Sequence, residues 1–300
     1  MDQTYSGFVA IVGKPNVGKS SLLNELLGEK LAIVTHKPQT TRTKITGVLT
    51  QGAKQYVFID TPGLHKAKNR LGDNMVKAVN TTLNDIDVVL LVVEAKGQVN
   101  EAEKNLIETI QKRKLPAILI INKIDLLEQK ELLAKRIEEL TALHSFEAVI
   151  PVSVLQHDGI GLIMKELDHY LVESVHFFPD DSLTDQPERV IVAERIREKI
   201  LMNMRQEIPH GTAIVIEKMK EREDKDILDI EAVIYCERST HKGMLIGKNG
   251  SVLKKIASEA REDIQGFFGI QVNLKCWVKV KEDWRNRDGL INNFGLAFRE

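Results

Sequence analysis

The sequence has 300 residues, of which 43% are hydrophobic and 28% are charged, and its formal net charge is -1. This composition is typical of a globular protein of about two domains, and it excludes a disordered or strongly basic chain. No apolar stretch reaches the roughly 18 residues of a membrane span, and Cys236 and Cys276 lack the spacing of a metal site, so we expect a cytoplasmic protein.

The first predicted element is a strand that leads into a glycine-rich turn. The apolar run 8–12 is followed by Gly-Lys-Pro-Asn-Val-Gly-Lys-Ser at 13–20 and by a helical pattern at 21–27. A strand, such a turn and a helix start together indicate a P-loop, whose backbone N–H groups and helix dipole hold phosphate. Lys19 is expected to contact the β- and γ-phosphates, and the Ser20 hydroxyl is expected to bind Mg²⁺.

A polar segment without periodicity, residues 35–43, comes next and predicts a mobile loop. We expect Thr41, with Thr40 as the second choice, to close over Mg²⁺ from this loop when a γ-phosphate is present. Such a loop acts as a nucleotide-dependent switch.

The following segments, 44–50 and 55–59, predict a β-hairpin whose second strand ends on Asp60-Thr61-Pro62-Gly63. At that strand end, Asp60 is expected to hold Mg²⁺ through water. The N–H group of Gly63 is expected to sense the γ-phosphate.

Beyond this point, apolar periodicity alternates between helices and strands. The predicted helices are 71–84, 101–112, 128–144 and 160–172, and the predicted strands are 87–93, 117–121 and 148–152. This alternation predicts an α/β domain with a mostly parallel sheet and helices on both faces. Ligands of such sheets bind at the carboxyl ends of the strands.

One of these strands ends on Asn122-Lys123-Ile124-Asp125, which favours guanine as the bound base. A carboxylate at Asp125 can accept hydrogen bonds from N1–H and the 2-amino group of guanine, and adenine offers neither donor. An ATPase is therefore the weaker alternative. Asn122 is expected to tie this loop to the P-loop, Lys123 to lie along the base, and Ser153-Val154 to offer a backbone N–H to the guanine oxygen.

The residues predicted to bind GTP come from these segments. They are Gly13, Lys14, Pro15, Asn16, Val17, Gly18, Lys19, Ser20, Ser21, Gln39, Thr40, Thr41, Asp60, Thr61, Pro62, Gly63, Asn122, Lys123, Asp125, Ser153 and Val154. Within this set Lys19, Asp60 and Gly63 are the predicted catalytic residues, and Ser20, Thr41 and Asp60 are the predicted Mg²⁺ ligands.

The composition of the sequence changes after residue 175. Residues 176–187 are acidic and contain prolines, which predicts a linker between a GTPase domain at 1–175 and a second domain at 188–300. The second domain is predicted to contain, in order, a helix at 187–207, strands at 212–219 and 227–236, a G-x-x-G turn, a helix at 251–264, a strand at 270–280, and a tail with Trp284, Leu290 and Phe294 on a helical stripe.

The G-x-x-G turn, Gly247-Lys248-Asn249-Gly250, predicts an RNA-binding loop. Residues 238–281 contain nine basic and three acidic residues, a local basic patch on a neutral chain. Met244, Leu245 and Ile246 are expected in the core and groove floor, and Trp277 is expected to pack in the domain and not to stack on a base. The predicted RNA-binding residues are Lys242, Gly243, Ile246, Gly247, Lys248, Asn249, Gly250 and Lys254.

These motifs carry a resemblance to known families. Residues 6–175 resemble the translation-factor class of GTPases, and the second domain resembles the α+β type II KH fold. Together they are similar to a family of ribosome-assembly GTPases. The resemblance implies GTP, GDP and Mg²⁺ as ligands, binding to 16S ribosomal RNA near its 3′ end, a role in 30S subunit biogenesis, gating of RNA access by the nucleotide, and a monomer.

Two positions bear on hydrolysis. Leu64 stands where Ras-like proteins carry the glutamine that orients the attacking water, so we expect slow intrinsic hydrolysis. Asn16 resembles the asparagine of GTPases that hold K⁺ beside the phosphates, and K⁺ is therefore a further cofactor hypothesis.

A second function stays open at this stage. The chain could be a signalling or scaffold GTPase whose second domain binds protein or a membrane surface, with peripheral contact to the inner membrane.

Overall fold

The computed structural model of the protein describes residues 3–63, 69–223 and 225–297. In its first half, strands form one sheet in the order β2-β3-β1-β4-β5-β6, and β7 pairs with β1. The strands are β1 (Tyr5–Val12), β2 (Ile45–Gln51), β3 (Lys54–Asp60), β4 (Val88–Glu94), β5 (Ala117–Asn122), β6 (Ala148–Pro151) and β7 (Val172–Glu173). Apart from the hairpin β2–β3 and the short β7, neighbouring strands are parallel, as predicted.

Helices cover both faces of this sheet. They are α1 (Lys19–Leu27), α2 (Arg70–Thr82), α3 (Glu101–Arg113), α4 (Lys130–Thr141) and α5 (Ile160–Leu167). Side chains alternate across a strand, so Val9 and Ile11 of β1 enter one buried cluster with α1 and α5. Ala10 and Val12 enter another with α3 and α4. The carboxyl ends of β1, β3, β4 and β5 consequently meet at one edge.

The second half forms a smaller domain around a three-stranded sheet of order β10-β9-β8. Its elements are α6 (Glu188–Asn203), β8 (Ala213–Glu221), β9 (Ile227–Cys236), α7 (Ser239–Ile246), α8 (Ser251–Phe268), β10 (Gln271–Val280) and α9 (Asp288–Asn293). Strand β9 is antiparallel to β8 and parallel to β10. This is the predicted α+β order of a type II KH fold.

Three predicted helix ends were wrong by four residues or more. The helix predicted to run to residue 172 ends at Leu167, because Val172 pairs in β7 with the start of β1. The helix predicted to run to residue 207 ends at Asn203, where the next residue is extended. The helix predicted to end at residue 264 continues to Phe268 and ends where Gly269 has a φ of 70°.

The predicted linker lies along the edge of the first sheet. The Val48 N–H group of edge strand β2 donates to the Leu183 carbonyl at 2.8 Å, and the Thr184 hydroxyl donates to the Thr46 carbonyl at 2.5 Å. These bonds satisfy backbone groups that an edge strand otherwise leaves open. The domain bounds 1–175, 176–187 and 188–300 stay predictions.

The two halves touch through the segment that follows α1. Lys30 Nζ lies 2.7 Å from Glu198 and 2.9 Å from Asp263. Glu198 also accepts a hydrogen bond from the Val34 N–H group at 3.0 Å. Glu198 is buried, so these bonds offset the cost of removing its charge from water.

Candidate functional site

The P-loop is shaped by close approaches that only glycine permits. A Cβ on Gly13 would lie 2.3 Å from the Val92 carbonyl oxygen, and one on Gly18 would lie 2.2 Å from Asn122 Nδ2. The loop places the Lys19 ammonium beneath it, where Nζ donates to the Lys14 carbonyl at 3.0 Å. Burial lowers the pKa of Lys19 to about 8, although the charge of Asp60 opposes this shift. A phosphate in the loop would meet this desolvated cation.

Three oxygen atoms meet at the carboxyl edge of the sheet. Ser20 Oγ donates to Asp60 Oδ2 at 2.6 Å and lies 2.9 Å from Thr41 Oγ1. Thr41 Oγ1 is 3.4 Å from the same carboxylate oxygen. Burial raises the pKa of Asp60, and the charge of Lys19 opposes the shift. Among the described residues, the buried Asp60 Oδ1 has no hydrogen-bond partner. Hard oxygens around a buried carboxylate fit Mg²⁺.

The segment after Asp60 packs directly on the P-loop. Thr61 Oγ1 donates to the Ile11 carbonyl at 3.0 Å. A Cβ on Gly63 would lie 2.6 Å from the Pro15 nitrogen, so a larger residue would push the two segments apart. Gly63 thus borders the phosphate loop, as its predicted role requires. Leu64, the position noted for hydrolysis, lies outside the described residues.

Asn122 joins the base-binding loop to the P-loop. Its Nδ2 group donates to the Val17 carbonyl at 2.9 Å. Its Oδ1 atom accepts from the N–H groups of Lys123 at 2.7 Å and Val154 at 3.2 Å. Because Asn122 is buried, it fixes three loops relative to one another.

The carboxylate predicted to bind guanine is held in place by a neighbouring loop. Ser153 Oγ donates to Asp125 Oδ1 at 2.5 Å. The backbone N–H of Ser153 donates to the Asp158 carbonyl at 3.1 Å. Ser153 therefore orients Asp125, and its role and that of Val154 toward the guanine oxygen stay predictions.

Sequence reasoning missed Glu94 at the end of β4. Its carboxylate pairs with Lys123 and lies 3.4 Å from Lys14 Nζ. Burial raises the pKa of Glu94, but hydrogen bonding and charge from Lys123 and Lys14 outweigh this and lower it. The sequence could have indicated Glu94, because this residue ends β4 at the same edge of the sheet as the other site residues.

These segments surround one cavity of about 1150 Å³, large enough for a nucleotide. Most of the predicted residues line it, and residues outside the prediction, such as Leu126, Leu155 and His157, line it as well. The predicted residues that do not line it are Gly13, Lys14, Val17, Asp60, Thr61, Pro62 and Ser153. The Asn16 amide donates to the His36 carbonyl at 3.0 Å, which connects the P-loop to the loop 35–43. Ser21, Gln39 and Thr40 also line the cavity.

The G-x-x-G turn at 247–250, unlike the GTP site, is exposed and is shaped by its two glycines. Gly247 has a φ of 72°, and a Cβ there would lie 2.5 Å from Val252 Cγ2. Gly250 has a φ of 78° and immediately precedes α8. Lys248 and Asn249 project into solvent between them. The turn thus needs glycine at both ends and presents a lysine.

Basic side chains flank this turn. Lys242, Lys248 and Lys254 are exposed, and none of them forms an ion pair with another described residue. Leu245 is buried, whereas Met244 is 55% exposed, which excludes the core and leaves the groove floor, and Trp277 is 43% exposed. Both lie on surfaces that the domain's own packing leaves open.

The fold and the two sites define a P-loop GTP-binding protein that carries a KH domain. Residues 8–123 match the family model described as 50S ribosome-binding GTPase, and residues 207–285 match the model described as KH domain. GTPase Era of Clostridioides difficile strain 630 is 50% identical over 290 residues, which are 97% of this chain and 98% of that protein. The chain belongs to the Era family and is a GTPase.

Two solved structures of Era proteins are similar to this chain over nearly its whole length. One is the crystal structure of Era in complex with MgGDPNP and nucleotides 1506–1542 of 16S ribosomal RNA, with a TM-score of 0.94, 36% identity, and coverage of 98% of this chain and 99% of that one. Another is a variant of Aquifex aeolicus Era bound to GDP and AlF4⁻, with a TM-score of 0.94, 36% identity, and coverage of 98% and 100%.

Proposed function

We propose that this protein is a GTP-driven switch that binds 16S ribosomal RNA near its 3′ end through the KH domain during assembly of the 30S subunit. The observation that carries the RNA assignment is the exposed turn at 247–250 with its lysine, Lys248, and the exposed flanking lysines Lys242 and Lys254. In KH modules a G-x-x-G turn admits a nucleic-acid backbone. The relative crystallised with nucleotides 1506–1542 supports the choice of RNA.

The GTP site supports the residue roles assigned above. Lys19, Asp60 and Gly63 would border the γ-phosphate, and Ser20, Thr41 and Asp60, whose oxygen atoms lie together, would hold Mg²⁺. When bound, Mg²⁺ neutralises phosphate charge. Asp125 would select guanine, and Glu94 would hold Lys123 along the base.

We expect the intrinsic rate of hydrolysis to be slow, because Leu64 cannot orient water through a side-chain amide. The Asn16 side-chain oxygen is a suitable ligand for K⁺ at the phosphates. Hydrolysis should then be about tenfold faster in KCl than in NaCl at equal ionic strength. Equal rates in the two salts, or an undiminished K⁺ effect in Asn16→Ala, would exclude Asn16 as a K⁺ ligand.

RNA affinity tests the main proposal. Binding of an RNA with the sequence of nucleotides 1506–1542 is measured with GDP and with GDPNP, each at two salt concentrations. We expect tighter binding with GDPNP and a salt dependence that reports the number of lysine contacts. Equal RNA affinity with GDP and with GDPNP would exclude gating of RNA binding by the nucleotide.

The alternative is a scaffold GTPase whose second domain binds protein or membrane. Absence of RNA binding in either nucleotide state would favour it, and co-sedimentation with anionic vesicles would distinguish its two forms. Among the described residues, no helix is both long and apolar enough to cross a bilayer. We propose a cytoplasmic monomer, in keeping with two free cysteines, and sedimentation velocity would test this state.

A further inference from the structure

Loop 35–43 of the GTPase domain ends in two neighbouring residues with different surroundings. Thr41 contacts the metal-site residues Ser20 and Asp60. Arg42 instead enters the second domain, and both residues are buried. Consecutive residues therefore connect the predicted Mg²⁺ site with the KH domain.

The guanidinium of Arg42 is held by backbone carbonyl groups. Nη1 donates to the Thr212 carbonyl at 2.6 Å, and Nη2 donates to the His210 carbonyl at 2.8 Å. Hydrogen bonds from a charged group are stronger than neutral ones, and a buried charge that loses them is costly. Arg42 is thus firmly placed.

Trp284 completes this arrangement. Its indole Nε1 donates to the Gly211 carbonyl at 2.9 Å, so it engages the residue between the two that Arg42 engages. The Arg42 guanidinium lies over the Trp284 ring, 6.0 Å from the ring centre. Trp284 has 0% exposure and packs with Leu71 of α2. The turn 209–212, Arg42 and Trp284 form one buried unit, which we call the carbonyl clamp.

A second arginine supports the residue before Thr41. Arg197 of α6 donates to the Thr40 carbonyl, and Glu194 holds its guanidinium through Nε at 2.7 Å. Arg197 is also buried. The second domain therefore holds the Thr40 carbonyl and the Arg42 side chain, and these contacts on either side of Thr41 favour the position of its hydroxyl at the metal site.

We propose that Arg42 and Trp284 are positioning residues for the GTPase reaction, because the carbonyl clamp holds Thr41 where it can bind Mg²⁺. The proposal rests on the metal role of Thr41 in the proposed function. Removing the clamp should weaken the Mg²⁺ dependence of the GTP state. It should leave GDP binding intact, because Thr41 is expected to engage the metal only when a γ-phosphate is present.

The test measures binding of fluorescent GDPNP and GDP over a range of Mg²⁺ concentrations. Arg42→Gln should raise the Mg²⁺ concentration for half-maximal GDPNP binding about tenfold, matching Thr41→Ala, with GDP affinity within about twofold. Trp284→Phe, which removes the indole donor and part of the buried ring, should raise this Mg²⁺ concentration about threefold. Adding Trp284→Phe to Arg42→Gln should have little further effect, since both act through the clamp.

Hydrolysis gives a second readout. The kcat of Arg42→Gln should fall about tenfold with little change in KM for GTP, and Arg42→Lys should recover part of the loss because it keeps the charge and one donor. Asp288→Asn is the matched control. It breaks an exposed ion pair between Asp288, which lies in the same C-terminal tail as Trp284, and Arg70 of α2. We expect it to leave the Mg²⁺ dependence of GDPNP binding and the kcat unchanged.

The outcomes separate this proposal from the metal assignment. If Arg42→Gln keeps the normal Mg²⁺ dependence of GDPNP binding while Thr41→Ala changes it, the positioning role of the clamp is contradicted and Thr41 remains a metal ligand. A normal Mg²⁺ dependence in both variants would contradict both the positioning role of the clamp and the metal role of Thr41. Loss of GDP affinity in Arg42→Gln would also overturn the proposal, because Arg42 would then support the whole domain and not Thr41 in particular.

Discussion

The GTP site and the G-x-x-G turn solve two recognition problems by opposite means. In the GTP site, polar side chains such as Lys19, Asp60 and Asn122 are buried and held by hydrogen bonds to neighbouring groups of the protein. In the turn, Lys248 is exposed and only the backbone is constrained. A small ligand read through the direction of each hydrogen bond needs fixed side chains, whereas a polyanion read through charge needs free cations on a defined backbone.

This contrast predicts its largest effect at Asp125. Asp125→Asn should lower GTP affinity about a thousandfold, because N1–H and the 2-amino group of guanine lose their acceptor. The asparagine amide can instead donate to the 2-carbonyl of xanthine, so affinity for xanthosine triphosphate should rise. Isothermal titration with both nucleotides measures the change. RNA binding without nucleotide should be unaffected.

The control for Asp125→Asn is Asp158→Asn, which changes an exposed carboxylate in the neighbouring loop. It should bind GTP normally. Unchanged GTP affinity in Asp125→Asn would mean that the base is read elsewhere, and the contrast between the two sites would fail.

A backbone change in the turn should produce the next largest effect. Gly247→Ala places a Cβ against Val252 at a φ of 72°, and the resulting strain of about 1 to 3 kcal/mol should distort the turn. We expect RNA affinity to fall about tenfold, measured by fluorescence anisotropy, with unchanged GTP hydrolysis.

Gly266→Ala serves as the comparison for Gly247→Ala, because a Cβ at Gly266 in α8 meets no atom within 4 Å. Alanine also favours a helix, so RNA affinity should be retained. Equal affinity in the two variants would show that the turn does not contact RNA.

A charge change in the turn should have a smaller effect with a distinct signature. Lys248→Ala should weaken RNA binding about threefold and lower the slope of log affinity against log salt by about 0.7, the value for one phosphate contact on a single strand. Lys255→Ala removes a lysine that Glu259 already pairs at 3.7 Å. An equal loss of slope in both variants would mean that net charge matters and the position of Lys248 does not.

The smallest effect is expected at Glu94. Glu94→Gln releases Lys14 and Lys123 from their shared carboxylate, and GTP affinity should fall about threefold, since a partly exposed ion pair contributes little. Equilibrium titration with a fluorescent, non-hydrolysable GTP analogue measures this affinity. Glu108→Gln, which removes an exposed helix pair with Lys112, should have no effect. A large loss at Glu94 would mean that it contacts the ligand directly.

The sequence by itself determined the fold class, the GTP site and the G-x-x-G turn. Each depends on residues close together in the chain, and strand ends such as those before Asp60 and Asn122 meet at one edge of any mostly parallel sheet. Short segments with fixed ligand chemistry can therefore be recognised without coordinates. Helix ends were less predictable, since β7 and the extended residue after α6 depend on their surroundings.

Only the tertiary structure decided how the two domains meet. Arg42 and Thr212 are 170 residues apart in the sequence, and no periodicity indicates which carbonyl groups a loop arginine will contact. The same is true of Trp284, whose apolar stripe was predicted but whose hydrogen bond to Gly211 was not. Such contacts depend on the relative placement of two packed domains, and local patterns in the sequence carry no record of that placement.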